Sequence, residues 1–362
     1  MSLAPSPPGD IGQPRQAVLD GGRATLVNAY LGDTRRLVIG DIHALLPQRC
    51  RTSLYDIMLD YPLRTAKMLR PALCIAMCRA LGGRLEDALR PATVLELFHN
   101  AFLIHDDIED GAQLRRGEPA LHHKHGISMA INVGDGMLAL ATSSLRAGTA
   151  GLERGIRDRV FDIVDQMGVE SAEGQALELA FTRWGRRTLS DRDYIRLVYK
   201  KTCWYSFVAP LLIGAAMAGA PPERTAPLHK LGGRLGVAFQ IHDDVLNLTA
   251  SASATGKDAA GDLKEGKCTL ILIHALRLAE PAERVRCEWI LRKKAAARSA
   301  ADVRILRSLI DRRDSIGYAR AAAARAAARA ADALAGTRSW LPPSTHRDFI
   351  EGVLDFVTRR NH

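Results

Sequence analysis

At 362 residues, nearly half of them apolar, the chain is long enough to bury a large core, and 50 Lys and Arg against 40 Asp and Glu give it a formal charge of +10. No apolar run reaches the roughly 18 uncharged residues of a spanning helix. The first residues lack a basic segment followed by an apolar one, so neither a transmembrane segment nor a secretory signal is expected, and the protein reads as cytoplasmic.

Stretches rich in Ala, Leu, Arg and Glu with apolar spacing near 3.6 dominate and period-2 runs are scarce, which predicts an almost entirely α-helical protein. The arginines are spread through these stretches rather than gathered with aromatics, which argues against a nucleic-acid partner. Residues 1–20 read as a flexible tail and 21–362 as one domain, because none of the Gly and Pro breaks is long enough to be a linker. Six cysteines without a CxxC pair are expected to be reduced and buried.

Residues 21–60 predict one or two helices. Lys67 and Arg70 stand just before Pro71 at the start of a helix toward Leu81, which makes either an anion-binding corner or a solvated helix start. A helix from about Pro91 carries Glu96, His99 and Asn100, and its apolar stretch Ala101, Phe102, Leu103, Ile104 leads into Asp106, Asp107, Glu109 and Asp110, followed by Arg115, Arg116 and Gly117. Asp106 and Asp110 are i and i+4, so they share a helical face and suit hard cations. Carboxylates at the rim of an apolar space are costly unless they bind something.

Residues 127–145 predict a small-residue helix packed on both sides, and 156–183 another with Gln166, Glu170, Glu173 and Gln175 as polar positions. An apolar helix over 193–213 is interrupted by Lys200, Lys201 and Thr202. Two adjacent lysines cannot both snorkel in one direction, so one of them faces inward. Ile104-His105-Asp106-Asp107-Ile108 is nearly repeated as Ile241-His242-Asp243-Asp244-Val245, preceded by Gln240 and followed by Asn247. Two acidic interruptions of apolar helices in the same manner are far stronger evidence of a site than one. The Gly- and Lys-rich run from Thr255 to Thr269, with Lys257, Lys264 and Lys267, suits phosphate oxygens, although it lacks the GxxxxGK[ST] spacing; a hydrated loop is the alternative. The Ala-rich run from Ala321 to Ala335 predicts an amphipathic surface helix, and Leu341-Pro342-Pro343 a turn before a final helix.

Paired carboxylates, several cations and an apolar interior are what a cation-bridged diphosphate with a greasy tail requires. Charge neutralisation would let a carbon–oxygen bond ionise, and an apolar lining would keep water from the resulting carbocation. On these motifs, from Lys67 and Arg70 through Asp106–Asp110, Arg115-Arg116 and Gln240–Asn247 to the Gly-Lys run, the sequence resembles the trans-isoprenyl diphosphate synthases from about residue 60 to 270, and within them the geranylgeranyl diphosphate synthases.

The resemblance implies an all-α single helical bundle around a deep central cavity, a homodimer, and up to three Mg²⁺ ions bound with substrate by Asp106, Asp110 and Asp243. It assigns catalytic positions also to Asp107, Lys201, Thr202, Gln240, Asp244 and Lys257. Arg115, Lys201, Lys257 and Lys267 would hold an allylic diphosphate. Lys67, Arg70, His99 and Arg116 would hold isopentenyl diphosphate, whose alkene attacks the allylic cation head to tail. Asn247, where many members carry Asp, keeps an acceptor oxygen but lacks the charge. Ala101 and Phe102, five and four residues before Asp106, would set product length, and together they predict a C20 product, with C15 and C25 as alternatives. A class I terpene cyclase and a catalytically silent regulatory subunit are the competing readings; intact Lys67, Arg70, His99 and Arg116 count against the first, intact aspartates and lysines against the second.

Overall fold

The computed structural model describes residue 11 and residues 15–47, 49–184, 189–249 and 261–359. Helices account for nearly all of it, as the 3.6 periodicity predicts. Helix α1 (Arg15–Leu45) is broken at Gly22. It leads through a π-helical turn at Arg51–Tyr55 and two short helices to α2 (Leu69–Ala80) and α3 (Leu85–Asp110). A two-residue hairpin, β1 (Leu114–Arg115) and β2 (Glu118–Pro119), precedes α4 (Ile127–Gly148) and α5 (Arg154–Trp184). Next, α6 (Asp191–Val198), a π-helix at Tyr199–Val208 and α7 (Ala209–Met217) run on without a break. Helix α8 (Thr225–Thr249) carries the second acidic motif. The chain closes with α9 (Gly261–Glu265), α10 (Leu270–Arg277), α11 (Pro281–Arg292), α12 (Ala300–Arg312), α13 (Ser315–Ala335) and α14 (Thr345–Arg359).

The main core joins α1, α2, α3, α4 and α7 with one face of α8, and a second apolar cluster lies between α8, α10, α12 and α13. The two acidic motifs stand at the C-terminal ends of α3 and α8, each with an apolar helix leading into it, so the core itself fixes where the carboxylates emerge.

Several expectations are corrected. Helix α3 starts at Leu85 rather than near Pro91, which lies inside it; the first turns are amphipathic enough to continue through a residue that lacks one backbone donor. Ile11 is buried in the main core and α1 begins at Arg15, so the stretch expected as a tail to residue 20 is partly tied down. Helix α4 packs on α3 through one face only, and Ile127 and Ile131 on the other are exposed. Helix α13 is not merely a surface helix: Ala319, Ala327 and Ala330 are buried, and their short side chains let it lie close against α8. Cys50 is exposed and Cys268 half-buried, whereas Cys74, Cys78, Cys203 and Cys287 are buried; all six are free.

Candidate active site

A cavity of about 560 Å³ opens between α2, α3, α5, the π-helix and α8. Its lining includes Lys67, Arg70, His99, Asp106, Asp110, Arg115 and Arg116 from the first half of the chain, and Lys201, Thr202, Gln240, Asp243, Asp244, Asn247 and Lys267 from the second. Residues up to 200 positions apart in sequence are thus brought to one space. Lys257 lies outside the described residues. Asp107, Ala101 and Phe102 are not in the lining: Asp107 and Ala101 are fully buried, and Phe102 is half-buried with its ring edge-on to Tyr205, 5.7 Å between centroids.

At the end of α3, Asp106 and Asp110 share a face and each meets a lysine. Lys267 Nζ is 2.9 Å from Asp110 and 3.0 Å from Glu265. Lys201 Nζ pairs with Glu178 and lies 3.6 Å from Asp106. Burial pushes the Asp106 carboxyl up to about 6, with Lys201 and Lys267 opposing that rise. Burial also works against the charge of both lysines, but Glu178 and the aspartates outweigh it and hold them protonated.

The inward turn of Lys201 has a local cause. In the π-helix Lys200 points away from the cavity to Glu170 at 2.7 Å and Glu173 at 2.6 Å, and Lys201 points into it. Helix α5 approaches this turn at Gly174, where a Cβ would stand 2.3 Å from the backbone nitrogen of Lys201. One turn on, Glu178 is thereby delivered to Lys201. Mid-helix π segments of this kind concentrate at functional sites.

Asp107 accepts a hydrogen bond from the Tyr61 hydroxyl at 2.6 Å and holds Arg115, whose Nε donates to both carboxylate oxygens at 3.0 Å. Arg116 and Gly117 form the hairpin tip, both with positive φ (54° and 81°). Such a tip costs a non-glycine residue about 1 kcal/mol or more, and it is held: Arg116 Nη1 donates to the Tyr61 carbonyl at 3.0 Å. Arg64, its side chain 2% exposed, donates to the carbonyls of Arg115 at 2.7 Å and Pro119 at 2.9 Å.

Glu96 is buried, accepts from the Asn100 amide at 2.9 Å and has its carboxyl raised by burial, with the charges of Arg70 and Arg116 opposing that rise. Arg70 donates to the Ser206 hydroxyl at 2.8 Å and stacks 4.5 Å from the Tyr205 ring centre. Burial, then the charges of Arg70 and Arg116, keep His99 well below the usual range and therefore neutral; its Nδ1 has no hydrogen-bond partner among the described residues. Lys67 Nζ lies 5.0 Å over the Phe356 ring at the cavity edge.

Facing α8, the Thr202 hydroxyl of the π-helix donates to Gln240 at 3.1 Å, Gln240 donates to Asp244 at 2.8 Å, and Tyr194 of α6 donates to the other oxygen of Asp244 at 2.7 Å. Burial, with Asp262 close by, pushes the Asp244 carboxyl up to about 8. Asn247 Oδ1 accepts from the Asp262 backbone at 3.3 Å.

Among the described residues no three His, Cys, Asp or Glu side chains come close enough to hold a metal alone. Asp106, Asp110 and Asp243 line one cavity with carboxylate oxygens, the donors that Mg²⁺ takes one or two at a time beside waters and substrate phosphates. Sequence reasoning missed Glu96, Glu178, Tyr61, Arg64 and Tyr194 as parts of this site. Only Glu96 carried a signal, being a charged residue on an otherwise apolar helix; the others act through contacts that no local pattern reports.

The polyprenyl synthetase family model matches residues 52–307. The chain belongs to the polyprenyl synthetase family. As a member it is a prenyltransferase. It is 33% identical over 327 residues to the short chain isoprenyl diphosphate synthase of Methanothermobacter thermautotrophicus, covering 87% of this chain and 95% of that one. Among solved structures it is similar to the geranylgeranyl pyrophosphate synthetase of Pyrococcus horikoshii, with a TM-score of 0.82, 31% identity, and 92% of this chain and 98% of that one covered. It also resembles the polyprenyl synthase of Caulobacter crescentus complexed with calcium and isoprenyl diphosphate, with a TM-score of 0.79, 29% identity, and 97% and 99% covered. No helix among the described residues of this polyprenyl synthetase is long and apolar enough to cross a membrane.

Proposed function

We propose that the protein condenses isopentenyl diphosphate head to tail with dimethylallyl, geranyl and farnesyl diphosphates, and that its product is geranylgeranyl diphosphate, C20. The observation that carries this reading is one cavity with two separately wired groups of cations. Lys201 and Lys267 rest on the carboxylates of α3, and Arg70 and Arg116 act on the buried Glu96, with neutral His99 lining the same cavity. Two diphosphates need two such places, whereas a terpene cyclase needs one.

In this reading Asp106, Asp110 and Asp243 hold Mg²⁺ together with the allylic diphosphate, and Arg115, Lys201 and Lys267 contact its oxygens, with Lys257 as a further contact. Bound Mg²⁺ supplies charge neutralisation of the diphosphate leaving group. Lys201 and Lys267 already sit on carboxylates, so they can turn from carboxylate to phosphate without crossing an apolar region as bare charges. Thr202 and Gln240 present fixed dipoles toward the allylic carbon, their orientation set by Asp244. Lys67, Arg70, His99 and Arg116 orient isopentenyl diphosphate. The unpartnered Nδ1 of His99 is a buried polar atom that such a ligand would satisfy. No side-chain general base is required, because the released diphosphate takes the proton.

In this reading the small side chain of Ala101 would allow a longer product below the first motif than an aromatic there, and Phe102, braced between Phe98 and Tyr205, would limit it. The exposed Ile127 and Ile131 on α4 and Val169 on α5 support a homodimer through these helices. We place the enzyme in the cytoplasm. Incubating the purified protein with Mg²⁺, isopentenyl diphosphate and each allylic primer, and separating the products, tests the reading: a C20 diphosphate is expected, and absence of any elongated diphosphate overturns it. Ala101→Phe should move the main product to C15; an unchanged profile would remove Ala101 from the account of chain length.

A further inference from the structure

A second cavity of about 570 Å³ runs along the outer seam of α8 and α13 and shares no lining residue with the catalytic cavity. The two helices are antiparallel there: Arg234 on α8 donates to the Arg329 carbonyl on α13 at 2.9 Å. This register gives the groove two unlike ends. At one end stand Lys230 and Arg234 of α8 with Arg329 of α13, and Arg325 stands partway along beside Ala326; none of the four is in an ion pair among the described residues. Toward the other end the walls are Val237, Ile241, Ile195, Leu270, Ala322 and Ala326. Asp191, the acid lining the groove, is already engaged by Arg277 at 2.9 Å and by the Tyr318 hydroxyl.

Three cations without ion pairs at the head of an apolar trough, with a fourth partway along, complement an amphiphile with one chain and a multiply charged head. A carboxylate would leave most of that positive charge unmatched, and one helix seam has room for a single chain. The wall also includes a residue of the π-helix. Tyr199, whose hydroxyl meets His229 at 3.1 Å beside the cationic end, is the first residue of the π-helix that aims Lys201.

We propose that this groove is a second, non-catalytic site for a single-chain prenyl diphosphate, through which the product of the reaction restrains turnover by way of Tyr199 and the π-helix. The choice of a prenyl chain rests on the proposed function; the polarity of the groove does not.

The test uses the full chain without Mg²⁺ and titrates geranylgeranyl diphosphate by calorimetry, with inorganic diphosphate and oleoyl lysophosphatidic acid as separate probes. Wild type should show two binding classes per chain. Arg325→Glu/Arg329→Glu, at exposed positions of α13, should lose the second class or weaken it by about tenfold or more. Ala322→Trp, which fills the apolar end and leaves every cation in place, should lose it as well. In steady-state assays, inhibition by added geranylgeranyl diphosphate should have a component that neither substrate relieves in wild type and that both variants lack, with uninhibited turnover retained. One class in wild type, or two in both variants, overturns the site. Filling of the second class by inorganic diphosphate alone overturns its apolar half, and filling by lysophosphatidic acid but not by the prenyl probe overturns the prenyl assignment. If no protein elongates a primer, the functional reading falls while the stoichiometry still judges the groove.

Discussion

In the first acidic motif the second carboxylate, Asp107, is anchored by the Tyr61 hydroxyl and faced by the Arg115 guanidinium; at the matching place in the second motif, Asp244 is anchored by the Tyr194 hydroxyl and the Gln240 amide, with no Lys or Arg paired to it among the described residues. The two near-repeats therefore share a mechanical device and differ in charge. Burying the second aspartate on a tyrosine leaves the first one, Asp106 or Asp243, in the cavity. Only the first motif supplies a cation to the buried partner. Lacking one, Asp244 is pushed up to about 8 by burial, and the second motif carries less negative charge near neutral pH than its sequence suggests.

The largest expected break in this comparison is at the exposed carboxylates. Asp106→Ala should lower kcat/KM on the order of 10³-fold and Asp243→Ala on the order of 10²-fold, with far-ultraviolet circular dichroism unchanged. Equal losses would mean that the two motifs contribute alike. Next come the buried carboxylates. Asp107→Asn strands the Arg115 charge and should cost about 3 kcal/mol in urea unfolding, whereas Asp244→Asn should cost little.

The pH dependence sharpens this contrast. The folded-state value for Asp244, about 8, lies above the unfolded value near ~4. Between these values the folded chain keeps a proton that the unfolded chain releases, so this group makes stability fall as pH rises from about 4 to about 8. In EDTA, Asp244→Asn should therefore gain on wild type across that window, and parallel stability curves would contradict the assigned charge state. The smallest effect concerns the end of the second motif. Asn247→Asp can still accept from the Asp262 backbone while adding a charge, and should lower the Mg²⁺ concentration for half-maximal activity about threefold. An unchanged or higher requirement would remove Asn247 from the metal account.

Much of this was legible beforehand, for physical reasons. Helices declare themselves through periodicity, and the inward turn of one lysine of the Lys200-Lys201 pair followed from the geometry of adjacent side chains. What escaped is what tertiary contact creates. Tyr61 reaches Asp107 from 46 positions away, and Tyr194 reaches Asp244 from 50, and a tyrosine on an apolar face looks the same whether or not its hydroxyl is used. Arg64 read as one more charge in a basic chain until its guanidinium was seen clasping the carbonyls of the hairpin. Lys257 falls outside the described residues, so the part expected of it rests on the sequence alone.

The π-helix at Tyr199–Val208 bears on how such a site tolerates genetic change. Removing one residue from that turn would swing everything after it by about 100° relative to what precedes it. Downstream, α7 is buried on every side and carries no polar stripe to fix its rotation. Upstream, Lys200 and Lys201 are committed to opposite faces. What fixes the rotation of α7 is Gly214, where a Cβ would stand 2.3 Å from the Cys74 carbonyl of α2. A single-codon insertion or deletion near Val208 thus drives a side chain into α2, while the same change two turns earlier would exchange the lysine in the cavity for the one outside it.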